Sequence, residues 1–251
     1  SRLNHQNVVK IYAIHEDEKN YYTVMEYLGG GELVSTENDS KTFTESEVMT
    51  IMKQAFLAVD YLHSMGIVHR DLKLENFLYA SKDPGASIVL IDFGLSKAAK
   101  KYQTLETKLG TPFYAAPEVI EGRYDHRCDY WSLGILMYRL LAGNFPFYDE
   151  SSVQVLKKIQ FLKPKLDGAK WKGISAEAKQ LITALLEKVP SKRISASEAL
   201  THPWFMKDQV QDVSSYQMAK SFKRPLTIET KDLVLINPAT VLNGSQTTRY
   251  Q

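Results

Sequence analysis

The stretch HRDLKLEN, residues 69–76, is the most informative segment of this 251-residue chain for its fold. It places a carboxylate, an ammonium group and an amide within one short segment. The tripeptide DFG follows at 92–94, and APE follows at 116–118. One DFG is common by chance, but the three segments in this order and at short separations are highly specific.

The three segments resemble the catalytic motifs of eukaryotic-type serine/threonine protein kinases. The resemblance runs from residue 1 to about 205. It is carried by MEYLGGGEL (25–33), YLHSMGIVHRDLKLENFLY (61–79), LGTPFYAAPEVIEGRYDHRCDYWSLGILMY (109–138) and PSKRISASEALTHPWF (190–205). It is strongest toward the calcium/calmodulin-regulated group, and within it toward calcium-dependent kinases of plants and protists. Those kinases usually have Pro where this chain has Leu74, a change that affects loop rigidity and no catalytic group.

Phosphoryl transfer needs positioning and charge neutralisation more than covalent help. Asp71 is expected to orient the substrate hydroxyl and accept its proton, with Lys73 placing a positive charge near the transferred group. Asn76 and Asp92 offer hard oxygen ligands to Mg²⁺ that bridges the phosphates. The expected cofactors are therefore ATP and Mg²⁺. Taken singly, each of these residues would be interpreted as a surface charge or a turn residue. Taken together, they do not favour that interpretation.

The resemblance also implies where the nucleotide binds. Met25 is the gatekeeper, the backbone of residues 26–28 is the hinge that binds adenine, and Leu78 is the apolar floor. The full nucleotide-binding set expected is Met25, Glu26, Leu28, Glu75, Leu78 and Asp92.

Further family features are architectural. Glu118 and Arg193 resemble a buried ion pair that braces the large lobe, and Asp129 resembles the residue that holds the catalytic-loop backbone. Ile11, His69 and Phe93 are expected in the stacked apolar spine that links the lobes.

Substrate preference is suggested by two acidic residues. Glu32 and Glu75 match positions that receive an arginine in basophilic kinases, and an Arg–carboxylate contact can be bidentate. The prediction is a preference for Arg or Lys three residues before the target Ser or Thr. The alternative is that both glutamates are simply solvated.

The activation segment runs from Asp92 to Glu118. Arg70 precedes the catalytic aspartate, which in the family often accompanies an activating phosphate, here on Thr104 or Thr107. Glu106 lies between them and can supply a permanent negative charge, so the favoured expectation is that no phosphate is required. Lys73 and Gly110-Thr111 resemble features of serine/threonine rather than tyrosine kinases.

Two family motifs do not occur in the sequence. No G-x-G-x-x-G precedes a V-A-I-K-like lysine, and the opening SRLNHQNVVK resembles the segment just after the small lobe's regulatory helix. We therefore expect an N-terminally truncated domain that binds ATP weakly and has little activity alone. A pseudokinase or scaffold is the alternative function. No EF-hand loop occurs either, so a calcium-sensor domain is expected only as a partner outside this chain.

The expected fold class is α+β and protein-kinase-like, with three parts. Residues 1–27 form a two-stranded remnant of the small lobe (8–14 and 21–27) and the start of the hinge, 28–205 form a mostly helical large lobe, and 206–251 form a tail or linker. Helices are predicted at 44–64, 129–142, 151–160, 175–187 and 195–200, and short strands at 77–79 and 88–91. The basic segment 218–224 resembles an autoinhibitory contact, but a solvated linker is favoured there.

Composition excludes several function classes. The net charge of +2 gives no reason to expect a nucleic-acid partner, and the one cysteine, Cys128, cannot form an internal disulfide. The longest apolar stretch, 131–143, is too short to span a membrane and carries Arg139. Protein substrates in the cytoplasm, with the nucleus as a second location, are the expectation.

Overall fold

The computed structural model describes residues 3–34, 43–93, 96–98, 112–206 and 233–236. Several residues singled out above lie outside these ranges: Gly94, Thr104, Glu106, Thr107, Gly110, Thr111 and the segment 218–224. Within the described ranges, none of the helices has the length and apolar character needed to cross a membrane.

The predicted hairpin is present. Strand β1 (Ile11–Glu16) pairs antiparallel with β2 (Tyr21–Glu26). Asp17 organises the turn, because its Oδ1 accepts the backbone N–H groups of Lys19 and Asn20, both at 2.8 Å. An aspartate that bonds the backbone two residues on is a common device for reversing the chain.

The small sheet is larger than the two-stranded remnant that was predicted. Residues of the tail form a third strand, β7 (Leu233–Ile236), which pairs antiparallel with β2. An extended Leu-Val-Leu-Ile run suits a strand and satisfies the backbone groups on that side of β2. The tail is thus not solely a linker.

Helix α1 (Glu45–Ser64) confirms the helix predicted at 44–64. The Thr44 side chain accepts the Glu47 N–H at 3.3 Å, and the Glu47 carboxylate accepts the Thr44 N–H at 2.8 Å. This capping box satisfies two orphan donors at the helix start. The helix ends before Gly66, whose φ of 72° lies in the left-handed region that favours glycine.

The large lobe is built around α3 (Cys128–Ala142), whose residues are all buried. Helices α1 and α5 (Ala176–Leu185) both pack against α3. Tryptophans fill the largest fully buried positions. The remaining helices are α2 (Pro117–Glu121), α4 (Ser152–Phe161), α6 (Ala196–Leu200) and α7 (Pro203–Met206).

Four short strands frame the segment 69–76. Strand β3 (Ile67–Val68) pairs with β6 (Lys97–Ala98) before it, and β4 (Phe77–Tyr79) pairs with β5 (Ile88–Leu90) after it. Because both ends of the segment are fixed in strands, its side chains are presented from a loop with defined ends.

Candidate active site

The backbone of the catalytic loop, residues 69–76, is held by one carboxylate. Asp129 on α3 accepts the His69 N–H at 2.9 Å on Oδ2 and the Arg70 N–H at 2.8 Å on Oδ1. Arg70 has a φ of 70°, an uncommon conformation for a non-glycine residue. Such conformations persist only where the surroundings fix them, and here two hydrogen bonds from a buried helix do so.

A histidine that the sequence reasoning missed supports this carboxylate. His63, in the last turn of α1, donates through Nε2 to Asp129 Oδ2 at 2.8 Å, and its Nδ1 lies 3.1 Å from the Tyr130 hydroxyl. Burial alone raises the pKa of Asp129, but the His63 bond and nearby charges hold that pKa below its ordinary value. The carboxylate therefore stays ionised behind the loop.

His126 lies against the same cluster, with its ring 5.1 Å from that of His63. Burial, and then the neighbouring His63, lower the pKa of His126 to about 4. Burial also lowers the pKa of His69. His126 is therefore neutral at neutral pH and resists protonation in the folded protein.

Three predicted catalytic residues lie together. Lys73 Nζ is 3.0 Å from Asp71 Oδ2, and Asn76 Nδ2 donates to the Asp71 carbonyl at 2.8 Å. The second bond fixes the Asn76 side-chain amide, so its Oδ1 is directed away from the Asp71 backbone. Asp71 and Asn76 are both buried, which limits their freedom before any substrate arrives.

Asp92 is joined to this loop through its neighbours. The Ile91 N–H donates to the Asn76 carbonyl at 2.8 Å, and the Ile91 carbonyl lies 3.3 Å from His69 Nε2. On the other side, the Phe93 ring is 5.5 Å from the His69 ring. Asp92 has a φ of 63°, the second non-glycine residue in the left-handed region among those described. Strained residues of this kind cluster at functional sites.

The oxygens of Asn76 and Asp92 suit magnesium. Mg²⁺ prefers hard oxygen ligands and is usually held by one or two protein side chains, with phosphates and water completing the shell. The donor set therefore fits the expected ion. The His69–Phe93 contact confirms part of the predicted spine, whereas the place of Ile11 in it stays a prediction.

The segment that follows the expected hinge packs through its backbone against the strand that carries the expected adenine floor. Gly30 donates to the Tyr79 carbonyl at 3.1 Å, and Leu33 donates to the Phe77 carbonyl at 3.0 Å. Leu78 lies between these anchors and is half-buried. A Cβ on Gly30 would lie 2.3 Å from the Ser81 carbonyl oxygen, so only glycine permits this approach.

Met25 and Glu26 end β2, and Leu28 follows in the hinge. The Glu26 N–H donates to the Lys10 carbonyl at 3.0 Å, and its carboxylate accepts the Lys10 N–H at 2.7 Å. The Glu26 amide is thus used within the hairpin. The expected backbone contacts to adenine therefore involve the backbone N–H and C=O groups of residues 26–28 other than the Glu26 N–H.

The two glutamates of the predicted substrate preference both adjoin β4. Glu32 is exposed and its backbone bridges to Leu78, while Glu75 is half-buried in the single turn (Leu74–Asn76) that precedes β4. Both are therefore attached to the strand that continues the catalytic loop.

The predicted ion pair of the large lobe is confirmed. Arg193 donates through Nη2 to Glu118 Oε2 at 2.9 Å and through Nη1 to Glu118 Oε1 at 2.5 Å. Arg193 Nη1 also donates to the Arg127 carbonyl at 2.8 Å. A bidentate, buried arrangement like this fixes the start of α2 against the last part of the lobe.

Arg70, which was expected to face an activating phosphate, lies near Tyr124. Burial raises the pKa of Tyr124, and a hydrogen bond from Arg70 partly opposes that rise. Thr104 and Thr107 fall outside the described residues, so the pairing with a phosphate stays a prediction.

Comparison of the sequence with known proteins points to the same family as the motifs. Residues 1–205 match the protein kinase domain family. Over 206 residues, 82% of this chain, the sequence is 44% identical to calcium-dependent protein kinase 3 of Plasmodium berghei (strain Anka). Over the same length it is 39% identical to calcium-dependent protein kinase 5 of Plasmodium falciparum (isolate 3D7).

The matched part of the chain spans 37% and 36% of the lengths of these two relatives. The family match, by contrast, covers most of this chain, and it contains every residue of the catalytic loop and its supports. The chain belongs to the protein kinase domain family.

Proposed function

We propose that the protein transfers the γ-phosphoryl group of ATP to serine or threonine residues of protein substrates. One observation carries the proposal: Asp71, Lys73 and Asn76 form a connected group, and a backbone hydrogen bond joins Asn76 to the residue before Asp92. This bond joins the backbones of two separate motifs beside the group, which supports a shared site for the reaction.

Each residue of the group has a distinct proposed task. Asp71 orients the substrate hydroxyl and takes up its proton as the oxygen is phosphorylated. Lys73, 3.0 Å from the Asp71 carboxylate, carries a positive charge to the position where negative charge gathers. Asn76 and Asp92 hold magnesium, which when bound neutralises charge on the ATP phosphates.

The adenine binds between the hinge and Leu78 in this proposal. Met25 limits the depth of the site, and the backbone of residues 26–28 supplies polar contacts. The support is the hydrogen-bonded packing of residues 29–33 on β4, which brings the hinge next to Leu78. We also propose that Glu32 and Glu75 favour a basic residue three positions before the target, because both lie beside β4.

Two further proposals concern the chain by itself. Its 251 residues contain no glycine-rich loop followed by a V-A-I-K-like lysine, so we expect weak ATP binding and little phosphotransfer in isolation. Because the relatives are named calcium-dependent protein kinases, we also propose that a calcium-sensor domain acts on this domain as a partner.

The test compares the chain with a chimaera that adds the glycine-loop and lysine-bearing strands of an active kinase ahead of Ser1. Transfer of radiolabelled phosphate is measured on two peptides that differ only in having Arg or Ala three residues before the serine. We expect the chimaera to be active and the chain alone to be nearly inactive. We also expect the chimaera to prefer the Arg peptide.

The matched variants are Asp71→Asn and Asp167→Asn in the chimaera. Removing the proton acceptor is expected to lower kcat by about 10²- to 10⁴-fold. The exposed Asp167 lies outside the site and its variant is expected to retain full activity. A folded chimaera that binds nucleotide and transfers no phosphate contradicts the kinase proposal and favours a scaffold function.

A further inference from the structure

An exposed surface that is both basic and apolar is formed by the end of α4 and the loop that follows it. Residues 157–172 contain six lysines, one acidic residue and no arginine. Lys158 is used internally, because its Nζ lies 3.0 Å from Asp149 Oδ2. The other five lysines are exposed, and none of them forms an ion pair with a residue that the structure describes: Lys157, Lys163, Lys165, Lys170 and Lys172. The surface therefore presents a net positive charge to solvent.

The outer side of α4 adds apolar side chains to these lysines. Val155 and Ile159 face the core and are fully buried. Lys157 and Phe161 follow them by two positions each, and, being four residues apart, they share the opposite side of the helix. Phe161 is 78% exposed, the highest value among the large apolar residues described, and Leu162 beside it is 51% exposed. Two large apolar side chains thus adjoin the lysines where the helix ends.

The loop 163–172 is closed on one buried tyrosine of α3. The Tyr138 hydroxyl donates to the Lys165 carbonyl at 3.0 Å, and the Tyr138 ring lies 4.8 Å from the Trp171 ring. Because the chain leaves and returns at the same side chain, the two ends of the loop lie close together. The loop is fixed from its inner side, while its four lysine side chains stay exposed. We call the five exposed lysines, Phe161 and Leu162 the basic patch.

The composition of the basic patch indicates the chemistry of its ligand. Arginine suits a single carboxylate or phosphate, because its planar fork binds two oxygens at once, whereas lysine is a point charge. A patch that contains lysine alone therefore suits a surface with many anionic groups. Exposed aromatic and aliphatic side chains beside lysines can also enter the boundary between lipid headgroups and acyl chains. Both features favour an anionic lipid surface over an acidic protein segment.

We propose that the basic patch binds anionic phospholipid membranes peripherally. The five lysines contact the headgroups, and Phe161 and Leu162 enter the boundary with the acyl chains. The attachment is a surface contact and involves no span of the bilayer. This inference is independent of the proposed catalytic activity.

The test measures co-sedimentation of the full chain with vesicles made of equal parts of phosphatidylcholine and phosphatidylserine. Vesicles of phosphatidylcholine alone are the reference, and we expect binding to the mixed vesicles only. Binding is expected to weaken with added salt, because the screening length falls from about 8 Å at about 0.15 M to about 3 Å at about 1 M.

A fourfold variant removes the charge of the loop: Lys163→Gln, Lys165→Gln, Lys170→Gln and Lys172→Gln. Each lysine near an anionic surface contributes about fivefold, so we expect the partition coefficient to fall about 100-fold or more. The matched control removes four exposed lysines outside the patch and has the same net charge: Lys19→Gln, Lys53→Gln, Lys82→Gln and Lys192→Gln. Its partition coefficient is expected to fall much less, because only the patch faces the membrane.

The apolar part of the patch is tested separately. Phe161→Ala is expected to lower the partition coefficient about fivefold to tenfold, because the ring no longer enters the membrane. Ile14→Ala, which changes an exposed apolar residue of the hairpin, is expected to leave it unchanged. Equal losses in the two fourfold variants, or equal binding to both kinds of vesicle, would overturn the proposal. So would binding of soluble polyglutamate through the loop lysines without binding of vesicles, because the partner would then be an acidic protein.

Discussion

The catalytic loop and the β1–β2 hairpin are both short irregular or extended segments, yet they are held by different means. The loop is fixed by the buried side chain of Asp129 from a distant helix, and both Asp129 and the loop's own His69 are 0% exposed. The hairpin is fixed by backbone pairing, and it leaves Ile14 64% and Tyr21 55% exposed. A single side chain therefore controls the loop, whereas the hairpin is controlled mainly by its backbone hydrogen bonds.

The largest expected effect is at the buried carboxylate behind the loop. Asp129→Ala leaves the His69 and Arg70 amides and His63 without their acceptor, so we expect the free energy of unfolding to fall by about 3–5 kcal/mol. Urea denaturation measures this change. The exposed control Asp167→Ala is expected to lie within about 0.5 kcal/mol of wild type. A small loss in Asp129→Ala would mean that the loop is not held by this contact.

The next largest effect is expected just after the hinge, where backbone hydrogen bonds hold residues 29–33 on β4. Gly30→Ala places a Cβ against the Ser81 and Tyr79 backbone, and we expect a loss of about 1–3 kcal/mol from overpacking. Gly29→Ala is the matched control, because its Cβ meets only the movable Tyr27 ring at 3.2 Å. Thermal unfolding of both variants checks the difference. Equal melting temperatures would show that the segment after the hinge does not depend on this close approach.

The third prediction concerns pH. Because the pKa of His126 falls from 6.5 unfolded to about 4 folded, the unfolded chain binds the extra proton between these values. Stability is therefore complete above pH 6.5 and declines as the pH falls. We expect a loss of about 1–2 kcal/mol by pH 5 from this group.

His126→Phe keeps the ring packing and removes the titration. Its unfolding free energy, measured at pH 7 and pH 5, is expected to change less than that of wild type. Some decline remains, because burial lowers the pKa of His69 in the same direction. Identical pH profiles for the two proteins would count against a neutral, buried His126.

The smallest expected effect is at the start of α1. Thr44→Ala removes one half of the capping box, and we expect a loss of about 1 kcal/mol. Thr44→Ser keeps the hydroxyl and is expected to retain most of the stability. Urea midpoints distinguish the two. Equal losses in both variants would show that the hydroxyl does not cap the helix.

The sequence predicted the parts of the fold that depend on local patterns. The helix from Glu45, its capping box and the strands beside Pro84-Gly85 follow from spacing and turn chemistry, and the structure confirms them. The ordered motifs also predicted that Asp71, Asn76 and Asp92 converge, and the structure joins Asn76 directly to Asp71, while the place of Asp92 stays a prediction. These predictions succeeded because short-range signals decide them.

Long-range contacts were not predictable in the same way. Asn7 donates to the Ile88 carbonyl at 2.8 Å and to Gln54 at 2.9 Å, and His63 reaches Asp129 across 66 positions. A lone polar residue carries no sign of a partner so distant in sequence. The tail strand was missed for a related reason: a four-residue apolar run has no period that distinguishes a paired strand from a linker.

In the proposed site, Asp71, Asn76 and Asp92 face one metal–phosphate centre. The most direct measurement is the paramagnetic broadening of their side-chain NMR signals by Mn²⁺ with a non-hydrolysable ATP analogue, which detects even weak binding. We expect strong broadening of Asn76 and Asp92, clear broadening of Asp71, and none at Asp167. Uniform weak broadening at all four positions, or broadening at only one of the three, would contradict it.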